Sequence, residues 1–349
     1  MSTVTINVGS SSARVAVFDG NLRHDLSLDP SRPDGLAAVA TRPSVVVHRI
    51  VHGGPSLLAT TTLDDATQAA LADLTSLAPL HLPRALAWLN AARAAWPDAT
   101  HLAVFDTSFY ADLPPAAATY ALPAAVRARY GIRRYGFHGL AHQSLLRALP
   151  ARPRVVTVQL GSGASMTACR DGRAVDTTMG FSPLEGLVMA TRAGDLDAGV
   201  LLHLLRNGVS LGALEQMLEH ESGLRGLGGN GDMRALLARD DADARLAIDV
   251  YVHSARKHLG ALLAVLGGCD AIAIGGGVGE NAPAIRAALF AGFEWAGISI
   301  DSAANGDTVG RTARISAASS RVTVEVVRVD EAEVMRDEAT RHLTQRKSS

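Results

Sequence analysis

The chain of 349 residues has only two cysteines, Cys169 and Cys269. No Cys-rich or Cys/His spacing surrounds them, which excludes a disulfide framework and a thiolate metal cage and points to a reducing compartment. Each is read as a small buried apolar residue. Long apolar runs are missing as well: the longest, 259–269, is too short to span a bilayer. The first residues, Met-Ser-Thr-Val-Thr-Ile-Asn, lead straight into a strand without the basic and apolar regions of a signal peptide. Clusters of one charge sign are absent too. Thirty-three Lys and Arg balance 34 Asp and Glu, for a net charge of −1, and their dispersal leaves no footprint for nucleic acid or an anionic membrane. The expectation is a cytoplasmic protein with small-molecule partners. Its length exceeds what one core usually supports, and an apolar fraction of 48% suffices for two domains.

What the chain does have is a matched pair of Gly/Ser turns. Asn7-Val-Gly-Ser-Ser-Ser-Ala-Arg-Val-Ala-Val-Phe-Asp-Gly20 and Gln159-Leu-Gly-Ser-Gly-Ala-Ser-Met-Thr-Ala-Cys-Arg-Asp-Gly172 each read as strand, tight turn, strand, Asp-Gly. An amide side chain, Gly, Ser, Ala, Asp and Gly recur at a constant offset, as in a duplicated half-domain. Glycine lets the backbone approach a phosphate, successive N–H groups form a concave anion site, and hydroxyls such as Ser10, Ser12 and Ser162 add donors without bulk. One such turn is an ordinary β-turn; the pair points to phosphate handling.

Around these turns the pattern alternates strands with helices. Thr3–Asn7 and Ala13–Phe18 read as a hairpin, and 44–48 and 101–105 as short buried strands. Helical spacing runs from Leu63 to Leu77 and again over 84–96, with Pro83 in a first turn. A Pro/Ala-rich passage, 113–125, reads as a domain junction. In the second half, Arg154–Gln159 reads as a strand, 242–266 as a long helix, and Ala271–Ile274 as a strand before Gly275-Gly-Gly-Val-Gly-Glu-Asn281, where Asn281 is expected to cap a helix beginning near Pro283. The polar end, 344–349, is expected to fray.

Phosphoryl transfer asks for positive charge and a held metal more than for covalent help. Arg49, in His48-Arg-Ile-Val-His-Gly-Gly54, and Arg192, in Glu185-Gly-Leu-Val-Met-Ala-Thr-Arg-Ala-Gly-Asp195, both sit beside glycines. A guanidinium fork matches the oxygens of a transferring phosphoryl group, and two arginines would bracket it. Mg²⁺ needs only one or two carboxylates plus phosphate oxygens; Asp106 at a strand end and Glu331 are the candidates, although from local sequence alone an exposed acidic helix start explains Glu331 better. The pairs His48/His52 and His138/His142 lie beside glycines rather than on recognisable helices, so zinc is not expected; His138 is the candidate donor to a phosphoryl oxygen, and Asn7 a neutral phosphate donor. His101 and His203 are assigned nothing.

The chain resembles the acetate and propionate kinase family, within the actin, sugar kinase and Hsp70 superfamily. Carrying the resemblance are Asn7-x-Gly-Ser-Ser-Ser12, His48-Arg-Ile-Val-His-Gly-Gly54, Ala78-Pro-Leu-His81, Val104-Phe-Asp-Thr107, Arg133-Arg-Tyr-Gly-Phe-His-Gly139, Asp176-Thr-Thr-Met-Gly-Phe-Ser-Pro-Leu-Glu-Gly-Leu-Val-Met189 and Gly277-Val-Gly-Glu-Asn281, in family order across nearly the whole chain. It implies an α/β protein of two ribonuclease-H-like domains, 1–110 completed by a C-terminal helix 332–349, and 111–331, closing on a nucleotide cleft. It also implies ATP-dependent phosphorylation of acetate or a similar short carboxylate to an acyl phosphate and ADP, with Mg²⁺ or Mn²⁺, in a homodimer. Arg49 and Arg192 look like the pair that neutralises the transition state, His138 like the histidine on the phosphoryl group, and Asn7 like the phosphate-positioning asparagine. Asp106 resembles the aspartate that organises the metal or Arg49, and Glu331, with Asn7, the metal-associated group. Val51, Leu80, Phe137 and Pro183 match the apolar acceptor pocket. Phosphate and nucleotide contacts fall on Ser10, Ser12, Arg14, Gln159, Gly161, Ser162, Gly163, Asp232, Met233, Arg234, Gly277, Val278, Gly279, Asn281 and Ile285, of which the last group also reads as ordinary core.

The departures matter too. The second hairpin of the family usually begins His-x-Gly-Asn-Gly, and here it is Gln159-Leu-Gly-Ser-Gly163; the usual Lys is Arg14, a usual His is Tyr110, and a usual Asn is Leu82. The segment between Asp19 and His48 is shorter than the family leads one to expect. Loss of an imidazole and an amide donor near the phosphates leaves two alternatives open: a nucleotide or acyl-phosphate sensor that has drifted from catalysis, and a carboxylate kinase with another donor such as pyrophosphate. A phosphatase acting on phosphate chains would leave the apolar pocket unexplained.

Overall fold

The structure, a computed structural model, describes residues 2–9, 12–78 and 81–347. It divides into two compact units. The first comprises Met1–Ala111, Phe137–Ser144 and Asp330–Ser349, the second Asp112–Gly136 and Leu145–Val329.

The first unit is built on β1 (Ser2–Val8), β2 (Ala13–Asp19), β3 (Leu22–Leu28), β4 (Val45–Ile50), β5 (Thr61–Thr62) and β6 (Thr100–Phe105), and the second on β7 (Arg154–Leu160), β8 (Ala164–Arg170), β9 (Arg173–Thr177), β10 (Ala271–Gly275), β11 (Ala313–Arg314) and β12 (Thr323–Val326). The sheet orders are β3-β2-β1-β4-β6-β5 and β9-β8-β7-β10-β12-β11. In both, three antiparallel strands lead, two parallel strands follow, and a short strand closes the edge antiparallel to the last. The duplication read from the two Gly/Ser turns is therefore a duplication of topology. The turns themselves differ by one residue: Gly9–Ser12 links the pair Val8/Ala13, whereas Gly161–Gly163 links Leu160/Ala164.

Each sheet face of the first unit is covered, so its central strands are buried on both sides. Val46, with Val4, Ile6, Val15 and Val17, packs against Trp88, Ala92 and Trp96 of the helix Leu82–Ala95 and its end. Val45 and Val47, pointing the other way by the period of two, pack with Leu102, Val104 and Leu140, and with Val334, Met335 and Ala339 of the C-terminal helix Glu331–Lys347. That packing explains a correction to the domain boundary read from the sequence. Residues 137–144 group with the first unit, since Leu140 is buried in its core and Gly139 lies directly on the Asp106 backbone: a Cβ on Gly139 would stand 2.0 Å from the Asp106 carbonyl oxygen.

Two further differences have local causes. β3 is an edge strand not expected from the sequence: Leu26 and Leu28 pack on the core while Arg23, His24 and Asp25 are exposed. The glycine run after β10 is not an open turn: Gly276, at φ +80°, reverses the chain at once and the helix Gly276–Asn281 begins there. Asn281 consequently does not cap the next helix, Pro283–Phe290, whose N-cap Ala282 makes no side-chain cap; the Asn281 Nδ2 donates back to the Gly277 carbonyl at 2.9 Å. At the other end, the C-terminal helix runs to Lys347, through residues expected to fray. Among the described residues, no helix is long and apolar enough to cross a membrane.

Candidate active site

In the first unit four predicted side chains form one chain of hydrogen bonds. Asp106, fully buried at the end of β6, accepts from Arg49 Nε at 3.0 Å and from Nη2 at 2.5 Å. Arg49 Nη1 donates to Asn7 Oδ1 at 2.9 Å, and Asn7 Nδ2 donates to Glu331 Oε2 at 2.6 Å. Parallel strands deliver three of these groups to the same end of the sheet, since β1, β4 and β6 are neighbours, and the C-terminal helix brings Glu331. Burial opposes the Arg49 charge, but Asp106 and Glu331 more than offset it and raise its pKa above the ordinary arginine value. Asp106 thus spends both oxygens on Arg49, and Asn7 is a bridge whose oxygen is already taken.

His138 sits beside this chain because Gly139 presses on Asp106 and because Tyr110 Oη donates to the Phe137 carbonyl at 2.9 Å. Its backbone is left-handed, φ 59°, in a non-glycine residue, a strained conformation of the kind that clusters at functional sites. Val51 and Phe137 are buried in the same unit, and Phe137 meets the edge of His52 at a centroid distance of 5.5 Å. Burial lowers the His52 pKa to about 4. Arg14 is exposed directly across the hairpin from Asn7, and the Ser12 carbonyl accepts from Gly9 N at 2.9 Å. Ser10 and Leu80 lie outside the described residues.

Among the described residues no group of three or more His, Cys, Asp or Glu is placed to hold a metal ion. His48 instead stacks on His101, to which no role was assigned: the ring nitrogens approach to 3.1 Å, and His101 Nε2 reaches the Trp96 carbonyl at 3.1 Å. Burial, then the neighbouring His101, lowers the His48 pKa to about 3.

The second unit carries the other arginine. Arg192 Nη1 donates to the Pro183 carbonyl at 3.3 Å and approaches Met189 Sδ at 3.7 Å, while Nε lies 3.6 Å from Glu219 Oε2. The second hairpin is tied to this loop, since Ala190 N donates to the Ser162 carbonyl at 3.0 Å, and Gly161 N closes the turn on Gly163 O at 2.9 Å. Gln159 stands at the end of β7; its Oε1 is buried and accepts no hydrogen bond among the described residues. Gly277 is exposed, with open space where a Cβ would project, and Val278 is partly exposed. Asp232 caps the helix Met233–Leu237 by accepting from Arg234 N at 2.9 Å, and Arg234 is exposed. Met233 and Ile285 are buried as core residues.

Sequence reasoning missed three groups here. Arg134 donates to Glu185 Oε1 at 2.7 Å and Tyr120 Oη bonds the other oxygen of that carboxylate, fixing the loop that carries Pro183. Arg286, fully buried, donates to the carbonyls of Gly279, Asn305 and Thr308 and to Asn305 Oδ1; burial lowers its pKa to about 10. Glu219 is the third. None carries a local signal, because the partners are far apart in sequence.

Two units of identical sheet topology, each with its Gly/Ser hairpin, define the two-domain α/β class of actin and the sugar kinases. Within that class the chain belongs to the Acetokinase family, which matches residues 34–337. An acetate kinase of Streptomyces coelicolor is 43% identical over 309 residues, 85% of this chain and 76% of that protein. The crystal structure of Porphyromonas gingivalis acetate kinase superposes with a TM-score of 0.87 at 29% identity, covering 98% of this chain and 99% of that one. A propionate kinase from Francisella tularensis superposes with a TM-score of 0.86 at 28% identity, covering 97% and 98%.

Proposed function

We propose that the protein phosphorylates acetate, or a comparable short carboxylate, at the expense of ATP, giving an acyl phosphate and ADP reversibly by direct in-line transfer. A carboxylate oxygen forms the new bond to the γ-phosphorus, the bond to the bridging oxygen breaks, and its electron pair leaves on ADP. The observation that carries this reading is the chain Asp106–Arg49–Asn7–Glu331: an arginine fixed on two edges next to an amide donor and a carboxylate suits a transferring phosphoryl group rather than a structural ion pair. In this reading Arg49 and Arg192 neutralise charge developing on the phosphoryl oxygens, His138 donates to one of them, and Val51, Leu80, Phe137 and Pro183 receive the methyl or ethyl group. A missing methylene is worth about 1–3 kcal/mol, so acetate and propionate are separated by assay rather than by pocket shape.

The donor set fits Mg²⁺. Glu331 bonds Asn7 through Oε2 alone, which leaves a hard oxygen for a cation that takes its other ligands from water and phosphate. Mg²⁺ would neutralise phosphate charge there; Asn7, occupied by Arg49, positions rather than ligates. Open space at Gly277 supports a nucleoside donor. The helix Ala198–Arg206 has no buried residue, and with its flanks it exposes Leu196, Val200, Leu202, Leu205 and Leu211. Such an apolar face supports a homodimer, checked by sedimentation of the wild type and of Leu202→Glu. Reduced cysteines suit a cytoplasmic location.

A second reading, with pyrophosphate as donor, rests on the departure of Gln159 and Ser162 in the second hairpin from the usual His and Asn. Phosphorus NMR of reactions with acetate, Mg²⁺ and either ATP or pyrophosphate decides between them. ADP and acetyl phosphate appearing only with ATP supports the main reading; product only with pyrophosphate replaces it.

A further inference from the structure

The chain from Met217 to Arg225 wraps the backbone that carries Arg192. Ser222 N donates to the Thr191 carbonyl at 3.0 Å, Leu224 N to Met189 at 2.9 Å and Arg225 N to Ala190 at 2.9 Å. Gly223, φ +62°, is squeezed between them: a Cβ there would lie 2.2 Å from the Met189 carbonyl oxygen and 2.6 Å from that of Arg192. Just before it, Met217–Glu221 forms a single π-helical turn, a rare widening that is frequent at functional sites. Thr191 Oγ1 donates to the Glu219 carbonyl at 2.7 Å and fixes the middle of that turn.

Glu219 lies in the middle of this turn. Its carboxylate is about four-fifths shielded, side-chain exposure being 21%, and Oε2 accepts no hydrogen bond among the described residues while lying 3.6 Å from Arg192 Nε. A buried carboxylate oxygen whose one ion pair among the described residues is with a guanidinium is costly unless that charge stays in place. Arg192 Nη1 is occupied by Pro183 and Met189, whereas no hydrogen bond of Nη2 is formed among the described residues. The guanidinium is thereby held on two of its nitrogens and offers the third.

We propose that Glu219 is a positioning residue: its charge holds Arg192 by the Nε edge so that Nη2 is presented to the transferring phosphoryl group. This rests on the reading of Arg192 as a phosphoryl-binding arginine, and goes beyond it by naming what aims that arginine. Glu219 touches no substrate in this role and acts through Arg192 alone.

The test is a double-mutant cycle on the full chain, with acyl phosphate formation as the readout. Glu219→Ala should lower kcat roughly 10- to 100-fold, the scale of a misplaced catalytic group, while KM for the acid and for ATP moves less than about 3-fold. Glu219→Gln, which keeps the size and removes the charge, should lower kcat at least about 5-fold with unchanged melting temperature, and it keeps the test valid should the alanine variant fail to fold. In an Arg192→Ala background either substitution should cost less than about 2-fold further. Unchanged kcat in both Glu219 variants, or the same loss in both backgrounds, overturns the proposal. Turnover that survives Arg192→Ala contradicts the parent reading instead; turnover lost in Arg192→Ala but kept in the Glu219 variants contradicts the positioning role alone.

Discussion

Asp106 grips Arg49 by both of its carboxylate oxygens, at 3.0 and 2.5 Å, from a fully buried position. Asp106→Asn removes the larger of the two carboxylate charges that offset the burial of the guanidinium, leaving only Glu331. Removing one partner of a buried pair costs about 3–5 kcal/mol, so the variant should melt several degrees lower. It should also lose turnover by about 100-fold, because Arg49 is no longer aimed. Calorimetry and steady-state assay read the two effects separately.

Glu331 offers a different kind of test, since its expected partner is a cation. EDTA should abolish turnover and added Mg²⁺ restore it. Glu331→Gln, keeping the bond from Asn7 but not the charge, should raise the Mg²⁺ concentration for half-maximal rate about 10-fold with less effect on KM for acetate. A magnesium titration of both proteins checks this.

Gly139 allows the helix that follows His138 to rest on the Asp106 backbone. Gly139→Ala would place a methyl 2.0 Å from the Asp106 carbonyl oxygen and 2.9 Å from Phe109 Cβ. Backbone must move, and both Asp106 and His138 move with it. Expected are a lower melting temperature and a loss of kcat of about 100-fold, whereas Gly212→Ala, at an exposed glycine with open space around its Cβ position, should change neither.

The buried imidazoles set an acid limit on stability. His48 and His52 have folded pKa values near 3 and 4, lowered chiefly by burial, against an unfolded value of 6.5, and His142 is lowered in the same direction. Between those values the unfolded chain binds more protons than the folded one, so stability rises with pH there. The stabilisation is complete above about pH 6.5 and is lost as pH falls toward 4. Melting temperatures measured from pH 7.5 to 4.5 should fall, and His48→Gln should flatten the slope.

Much of the fold was legible because the signals were local. The two Gly/Ser hairpins exposed the duplication, and Pro83, the Val-rich run at 44–48 and the apolar spacing of 242–266 placed elements that the structure contains. What stayed hidden depended on partners distant in sequence. β3 is a mostly exposed edge strand whose alternation is interrupted by His24, and the fate of Asn281 turned on where Gly276 reversed the chain. In the site, glycine context marked Arg49 and Arg192 and a strand end marked Asp106. Glu219 and Arg286 look like ordinary surface charges until the backbone of a remote segment is placed against them.

Trapping of acyl phosphate as hydroxamate, with ATP, Mg²⁺ and separately acetate, propionate and butyrate, tests the central claim most directly. The account predicts a hydroxamate with at least one of these acids, reduced by about 100-fold or more in Arg49→Ala and in Arg192→Ala. No hydroxamate with any of them, from protein that binds ATP by calorimetry, would contradict it.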